Sequence, residues 1–207
     1  MSQKSVIALV VGGLVAVVAL ITTIVVLAGG ADNPPPSGIS ETAPVAVDGD
    51  ALPARGQSQV DPAVGLPIPA VTGSTFDGSP VSIDPTDGRP KALLFLAHWC
   101  QHCQAEAPEV QAWVDAGGLP DAVDLIGIAT SSSDIRPNYP PSEWLEGVAW
   151  SSPVMVDDEA YTTAKRFGLE AFPYWVFVAA DGTVAGRVSG RIPMTTLQTV
   201  IADLAGG

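Results

Sequence analysis

The hydrophobic pattern of the chain begins with an uninterrupted apolar run near the amino terminus. Residues 6–28 carry no charge, and Thr22 and Thr23 are the only polar side chains among these 23 positions. At a rise of about 1.5 Å per residue, a helix of this length reaches roughly 34 Å, which is enough to cross a bilayer core. The run therefore predicts a retained N-terminal transmembrane helix (a signal anchor). A cleaved signal peptide is the alternative, although its apolar region is usually only about 7–15 residues long.

The residues on either side of the run predict its orientation and a tether. Lys4 precedes the run, and the next basic residue after it is Arg55. Because basic residues favour the cytoplasmic side, residues 1–5 are expected to form a short cytoplasmic tail, with the remaining chain extracytoplasmic. Residues 29–62 show neither a helical nor a strand period and contain six prolines. They are expected to be a disordered linker between the cell membrane and a folded domain at residues 63–207.

Beyond the predicted linker, short apolar segments alternate with amphipathic ones. Continuous apolar runs are typical of strands buried on both faces, and an Asp-Gly pair between two apolar runs is typical of a hairpin. Strands are predicted at residues 70–76, 81–83, 91–97, 124–130, 154–156, 174–179 and 183–189. Helices are predicted at residues 100–116, 142–148 (with Ser142 as its cap), 157–167 and 195–204. This alternation predicts an α/β fold with a central mixed β-sheet flanked by helices.

The composition of the chain narrows the classes of partner. Nine basic residues stand against 22 acidic ones, so the formal net charge is −13 and the isoelectric point is near 4.2. Nucleic-acid binding requires a basic surface, and an anionic lipid surface repels an acidic domain. Nucleic acid is therefore not expected as a partner. The chain contains only two cysteines, which excludes a disulfide-rich scaffold and a four-cysteine zinc site within one chain.

Both cysteines lie in one Cys-x-x-Cys motif, where the predicted strand at residues 91–97 leads into a helix. Cys100 would begin that helix, where unpaired N–H groups and the helix dipole stabilise an anion and lower the pKa of a thiol. Cys103 would follow one turn later, within bridging distance of Cys100. This arrangement predicts a reversible dithiol–disulfide pair that needs no other cofactor. Cys100 is then the nucleophile, and Cys103 resolves the mixed disulfide.

The residues around the motif resemble those of the thioredoxin superfamily, and within it the membrane-anchored, extracytoplasmic TlpA/ResA-like branch. The resemblance covers roughly residues 64–205. It rests on the sequence FLAHWCQHC at residues 95–103, on Pro108 as the proline that kinks the first helix, and on GLEAFP at residues 168–173. A lone Cys-x-x-Cys is only moderately specific, and these further matches make the resemblance strong.

This resemblance implies a thioredoxin-like fold and a thiol-disulfide oxidoreductase that acts on exported, cysteine-containing proteins. A membrane protein that exchanges electrons with the cysteine pair is a further partner consistent with the resemblance. The resemblance also implies a cis peptide bond before Pro173, which would turn the Phe172 backbone toward the cysteines. Trp99, Phe172 and Pro173 are the substrate-binding residues expected on this basis.

Two residues leave the direction of the reaction open. His102 stands where the oxidising DsbA-like members also carry histidine, and it would stabilise the Cys100 thiolate and make the disulfide a stronger oxidant. TlpA-like reductases more often have proline at this position. Leu94 occupies the position of the buried acid that helps deprotonate the second cysteine in thioredoxin, which weakens the case for reduction. The TlpA-like framework nevertheless favours reduction, for example of apocytochrome cysteines.

Metal delivery is the alternative function. Cys100, Cys103, His98 and His102 are side chains that bind copper or zinc, but a rigid helix cannot place all four around one ion, so no metal site is predicted. A peroxidase is disfavoured, because such an enzyme is expected to carry a lone reactive cysteine on a loop rather than a Cys-x-x-Cys motif.

Three further polar side chains lie near the motif. His98 is expected to be a solvated residue at the end of the strand, although it could instead line the active-site cleft. Glu106 and Glu109 lie off the apolar face of the predicted helix and are expected to be solvated acids. None of the three is assigned a role in the chemistry.

Overall fold

The computed structural model of the protein describes residues 38–56 and 60–206. The predicted cytoplasmic tail at residues 1–5 and the predicted transmembrane helix at residues 6–28 lie outside these residues, as does the first part of the predicted linker. No helix within the described ranges combines the length and the apolar character needed to cross a bilayer.

The described residues form eight strands and four helices. The strands are β1 (Ala46–Asp48), β2 (Ala70–Ser74), β3 (Pro80–Ile83), β4 (Lys91–Leu96), β5 (Asp124–Ala129), β6 (Val154–Val156), β7 (Tyr174–Val178) and β8 (Val184–Ser189). The helices are α1 (Gln101–Asp115), α2 (Pro141–Gly147), α3 (Thr162–Arg166) and α4 (Met194–Ala205). All seven predicted strands and all four predicted helices are present, and α1 continues through Pro108.

All eight strands belong to one mixed sheet. Its order is β1-β2-β6-β5-β4-β7-β8, with β3 paired to β2. The central strands β4, β5 and β6 run parallel, while β7 is antiparallel to β4 and β8 is antiparallel to β7. This topology confirms the predicted α/β class. It also places the start of α1 at the carboxyl end of a central strand.

Burial on both faces of the sheet explains the uninterrupted apolar runs. Every residue of β4 is buried. Leu94 and Leu96 belong to one core, which includes residues of α1, α2 and α4. Leu93 and Phe95 belong to a second core, which includes Ala164 of α3. Because successive side chains of a strand point to opposite faces, only a strand covered on both sides requires an apolar residue at every position.

The described part of the predicted linker packs on the domain. β1 pairs antiparallel with β2. Leu52 is buried and its N–H donates to the carbonyl of Arg166 at 2.8 Å, while the N–H of the buried Ala43 donates to the carbonyl of Asp157 at 3.3 Å. The prediction of a disordered linker is therefore wrong for residues 38–56 and 60–62. The segment is ordered by partners far along the chain, so its own sequence shows no regular period.

A buried ion pair also attaches this segment to the domain. The side chains of Arg187 and Asp61 are only 1% and 8% exposed, and Nε of Arg187 donates to the Asp61 carboxylate at 2.8 Å. The same guanidinium donates to the carbonyls of Pro53 at 2.9 Å and Phe167 at 3.2 Å. Hydrogen bonding to Arg187 lowers the pKa of Asp61 from its usual value. One arginine of β8 thus joins two stretches of the N-terminal segment to the end of α3.

The helix predicted at residues 157–167 begins later than expected. Asp157 is buried before α3, and its carboxylate accepts hydrogen bonds from the N–H groups of Thr163 at 2.9 Å and Ala164 at 3.1 Å. Tyr161 at the helix start has a left-handed backbone with φ of 59°. The acidic residue therefore caps the helix from outside it, where a carboxylate satisfies N–H groups that lack intrahelical partners.

The capping of α2 also differs from the prediction. Ser142 is already inside the helix, which begins at Pro141 without a side-chain cap from its own first residue. Its N–H donates to the carboxylate of Glu41 at 3.0 Å, and its hydroxyl donates to the same carboxylate. The cap thus comes from the N-terminal segment, 101 residues away in sequence.

Candidate active site

The end of β4 positions the first cysteine. After the strand, the N–H of Cys100 donates to the carbonyl of Ala97 at 3.0 Å, and the Cys100 carbonyl accepts the N–H of Gln104 at 3.0 Å as α1 begins. Cys100 is the N-cap residue of α1, with an extended backbone. Its Sγ accepts a hydrogen bond from the N–H of Cys103 at 3.4 Å. The sulfur that would carry the negative charge of a thiolate therefore faces the unpaired N–H groups of a helix start.

The two thiols differ in accessibility. Both are free thiols; Cys100 is 8% exposed and Cys103 is fully buried. Burial raises the pKa of Cys103 well above the usual value for a thiol, and the nearby Cys100 and Glu106 add to this effect. Only the thiolate is nucleophilic. Cys100, which is the more exposed of the two, is therefore suited to meet a substrate first, and Cys103 to react afterwards from the inside.

Trp99 contacts Phe172, one of the other residues expected to bind substrate. The two rings meet edge to face with centroids 5.7 Å apart. The Phe172–Pro173 peptide bond is cis, as the resemblance implies. Pro173 immediately precedes β7, whose first residue Tyr174 pairs with Phe95 near the end of β4. The structure thus brings the segment before β7 to the sheet end that carries the cysteines. Substrate binding by Trp99, Phe172 and Pro173 stays a prediction.

His102 lies exposed on the first turn of α1, between the two cysteines. This position beside the helix start is the one that the sequence predicts. Its stabilising effect on the Cys100 thiolate stays a prediction.

His98 is not solvated. It is 1% exposed, so the prediction of a solvated strand-end residue is wrong. Its Nδ1 lies 2.7 Å from the carbonyl of Pro137, and its Nε2 lies 3.1 Å from the N–H of Ser133. A carbonyl can only accept and an amide N–H can only donate, so these partners select the neutral ring with its proton on Nδ1. Burial also lowers the pKa of His98 from its usual value.

Glu106 is the second exception to the predictions. Its side chain is fully buried, whereas a solvated acid was expected. One carboxylate oxygen, Oε1, accepts hydrogen bonds from the Trp175 indole N–H at 3.3 Å and the Ile192 N–H at 3.2 Å. The other, Oε2, has no protein partner within the described ranges. Burial raises the pKa of Glu106. The second predicted solvated acid, Glu109, is exposed and pairs with Arg191 at the surface.

Glu106 supplies a buried acid near the second cysteine from an unexpected element. Leu94 pairs directly with Trp175 across β4 and β7, and Trp175 in turn donates to Glu106. A buried acid thus lies near Cys103 on α1, although the β4 position of the thioredoxin acid is occupied by Leu94. The signal in the sequence is the spacing: Glu106 follows Cys103 by three residues, which places both on the same face of a helix.

The hydrogen bonds of His98 oppose metal binding by Cys100, Cys103, His98 and His102. Both ring nitrogens of His98 are engaged by backbone groups, so coordination would break two buried hydrogen bonds. Within the ranges that the structure describes, no three histidine, cysteine or acidic side chains converge as a metal site would require.

The chain is similar in sequence to a secreted mycobacterial protein. The chain is 29% identical over 121 residues to the soluble secreted antigen MPT53 of Mycobacterium tuberculosis. That match covers 54% of this chain and 60% of MPT53, which is less than two thirds of the relative's length.

Two solved structures share the fold. One is a secreted disulfide oxidoreductase of Mycobacterium tuberculosis that is homologous to DsbE of E. coli. It superposes on this chain with a TM-score of 0.55 and is 26% identical in sequence. The superposition covers 64% of this chain and 95% of the oxidoreductase. The other is DsbF of MTB, which superposes with a TM-score of 0.54 at 26% identity. This superposition covers 64% of this chain and 93% of DsbF. The sequence profile of the AhpC/TSA family matches residues 64–187, from the segment between β1 and β2 into β8. That span contains the helix-start cysteine pair and is more than half of the chain, and the chain therefore belongs to the AhpC/TSA family, with a thioredoxin-like fold.

Proposed function

We propose that the protein is a thiol-disulfide oxidoreductase that exchanges disulfides with exported, cysteine-containing proteins through Cys100 and Cys103. The observation that carries this proposal is a pair of thiols at a helix start, of which Cys100 is 8% exposed and Cys103, one turn later, is fully buried. A structural cysteine pair would have no need for this difference in exposure. The similar secreted protein of Mycobacterium tuberculosis is a disulfide oxidoreductase, which supports the same class of reaction.

The disulfide exchange proceeds in two steps. The Cys100 thiolate attacks a substrate disulfide, a mixed disulfide forms, and one substrate sulfur leaves as a thiolate. Cys103 then loses its proton and attacks the Cys100 sulfur, which forms the Cys100–Cys103 disulfide and releases the second substrate sulfur. Run in this direction the substrate is reduced, and run in reverse it is oxidised. In both directions Cys100 and Cys103 are the only groups of this protein whose bonds change, and the opposite change occurs at the two substrate sulfurs.

The position of the protein in the cell forms a second part of the proposal. The apolar run at residues 6–28 anchors the chain in the cell membrane, and the folded domain lies on the extracytoplasmic side. The secreted status of MPT53 and of the similar oxidoreductase supports an exported domain. The test is fractionation of cells that express the full chain or a chain without residues 1–37. The anchor predicts that only the full chain stays with membranes washed in carbonate, and equal release of both chains contradicts it.

Trapping tests the exchange directly. A Cys103→Ser variant should accumulate a mixed disulfide between Cys100 and a peptide disulfide, because no second thiol can release it. A Cys100→Ser variant should form none, since the remaining thiol is buried. The adducts are measured by non-reducing mass spectrometry. If both variants reduce the peptide as fast as the unmodified protein, the proposed function is wrong.

The reduction potential of the cysteine pair decides the direction. The full chain is equilibrated with glutathione or dithiothreitol buffers, and the oxidised fraction is measured. A potential near or above about −150 mV marks a disulfide donor, with His102 as the expected cause, and a value below about −250 mV marks a reductant. A pair without a reversible couple contradicts both directions.

A further inference from the structure

The segment between β5 and α2, residues 131–140, lies against the residues that precede Cys100. We call it the 131–140 loop. The carbonyl of Ser131 accepts a hydrogen bond from the Trp99 indole N–H at 2.9 Å. Farther along, the Arg136 guanidinium lies over the Trp99 ring, 5.0 Å from its centroid. A cation over an indole face is held by the ring quadrupole, and the planar guanidinium can stack there while its outer edge stays in solvent.

His98 contacts four further residues of the loop. Its ring accepts the N–H of Ser133 and donates to the carbonyl of Pro137. Its backbone carbonyl accepts a hydrogen bond from the Asn138 side chain at 3.3 Å. The Tyr139 ring meets the imidazole edge to face, with centroids 5.7 Å apart. The two residues next to Cys100, His98 and Trp99, therefore hold both ends of the loop.

The middle of the same loop is exposed to solvent. Ile135 is 87% exposed. Arg136 is exposed as well, and it forms no ion pair with any residue that the structure describes. In a chain with nine basic and 22 acidic residues, a cation without an acidic partner over Trp99, the residue that precedes Cys100, is a distinctive feature.

We propose that the 131–140 loop selects the substrate, and that Arg136 favours a substrate with an acidic side chain close to its reactive cysteine. The carboxylate would receive hydrogen bonds from the free edge of the guanidinium, while the substrate sulfur meets Cys100 beside Trp99. His98 is a positioning residue, because it acts on the substrate only through the loop. The inference rests on the proposed function, since it concerns the substrate of the same cysteine pair.

The test uses matched peptides, each with one internal disulfide that is flanked by glutamate, glutamine or lysine. The reduced full chain converts each disulfide to a dithiol while Cys100 and Cys103 become oxidised, and the second-order rate constant is measured. An exposed ion pair is weak, so we expect a preference for the glutamate peptide over the glutamine peptide of about two- to fivefold at low salt. The preference should shrink in about 1 M NaCl, because salt screens exposed charges.

Two substitutions locate the source of the preference. Arg136→Gln should bring the ratio of the glutamate to the glutamine rate close to one. Arg89→Gln is the matched control, because it removes the same charge before β4, at the opposite end of that strand from Cys100 and about 20 Å away by strand rise. A ratio that persists in Arg136→Gln, or that disappears equally in Arg89→Gln, overturns the proposal.

The role of His98 has its own readout. His98→Leu should lose the preference although Arg136 is still present, and His98→Asn should retain part of it, because the amide can still bond one loop partner. A merely structural role would change stability without changing the ratio. If the wild-type protein reduces all three peptides at one rate, this inference fails and the proposed function stands. If it reduces none of them, the proposed function itself fails.

Discussion

Replacing Glu106 by glutamine tests the electrostatic coupling between the buried acid and the second cysteine. The substitution removes a charge and keeps the shape of the side chain. The remaining amide oxygen can still accept from the Trp175 indole and the Ile192 N–H, so both hydrogen bonds of Oε1 survive. What changes is the repulsion between a carboxylate and a Cys103 thiolate on the same face of α1.

The size of that repulsion follows from the helix geometry. Residues three apart on a helix have Cβ atoms about 5–6 Å apart. At an effective dielectric constant of about 20, two like unit charges at that separation repel by about 3 kcal/mol, and each 1.4 kcal/mol changes a population about tenfold. The upper limit is therefore about a hundredfold in the population of the Cys103 thiolate. Burial is the largest cause of the raised pKa of Cys103 and the charge of Glu106 is the smallest, so we expect a gain below this limit, of about tenfold.

The assay is alkylation of Cys103 by iodoacetamide, followed by mass spectrometry between pH 7 and pH 9. Cys100→Ser serves as the parent, so that one thiol is observed. Glu106→Gln in this parent should raise the alkylation rate about tenfold at each pH. Glu109→Gln is the control, since it removes an exposed charge from the same helix. Equal rates for Glu106→Gln and its parent, or an equal gain in the Glu109 variant, refute the coupling.

The same variant predicts a change in the pH dependence of stability. Burial raises the pKa of Glu106 above its usual value of 4.5, so the folded state holds this proton more tightly than the unfolded state. The corresponding stability is complete below pH 4.5 and is lost as the pH rises through the folded pKa. The unfolding free energy in urea of Glu106→Gln, relative to that of the unmodified protein, should rise by about 1–3 kcal/mol as the pH is raised from 4 to 8. A difference that does not change with pH contradicts this account.

Two further predictions concern stability. Asp61→Asn leaves the buried charge of Arg187 without its counterion, so it should lower the unfolding free energy in urea by about 3–5 kcal/mol. Asp124→Asn is the control in an exposed ion pair and should lower it by at most about 1 kcal/mol. Similar losses in the two variants would contradict this account, which rests on the difference in burial. For His98, the lowered folded pKa means that its stability contribution is complete above about pH 6.5 and is lost as the pH falls through 6.5 toward the folded value. The unfolding free energy should therefore fall more between pH 7.5 and pH 5.5 in the unmodified protein than in His98→Leu, and parallel curves would contradict this.

The parts of the fold that could be predicted are the elements whose own hydrophobic pattern reflects how they are buried. β4 and β5 are covered on both faces, so each reads as a continuous apolar run. The placement of Cys100 at a helix start followed from the end of one such run and the onset of a helical pattern. β1 shows no such hydrophobic pattern. It has three residues at the sheet edge, only its middle residue is partly buried, and its pairing with β2 alone makes it a strand.

His98 and Glu106 show why burial of polar residues near the site escaped prediction. A charged or titratable side chain is usually solvated, and it can be buried only where partners satisfy its polar atoms. The partners of His98 are Ser133 and Pro137, which are 35 and 39 residues away. Those of Glu106 are Trp175 and Ile192, at distances of 69 and 86 residues. Helical spacing shows that Glu106 shares a face with Cys103, but only the closure of the sheet and its loops over that face decides that both are buried. The cysteine pair can be read from the sequence because its chemistry is local, whereas the groups that surround it are brought there by the fold.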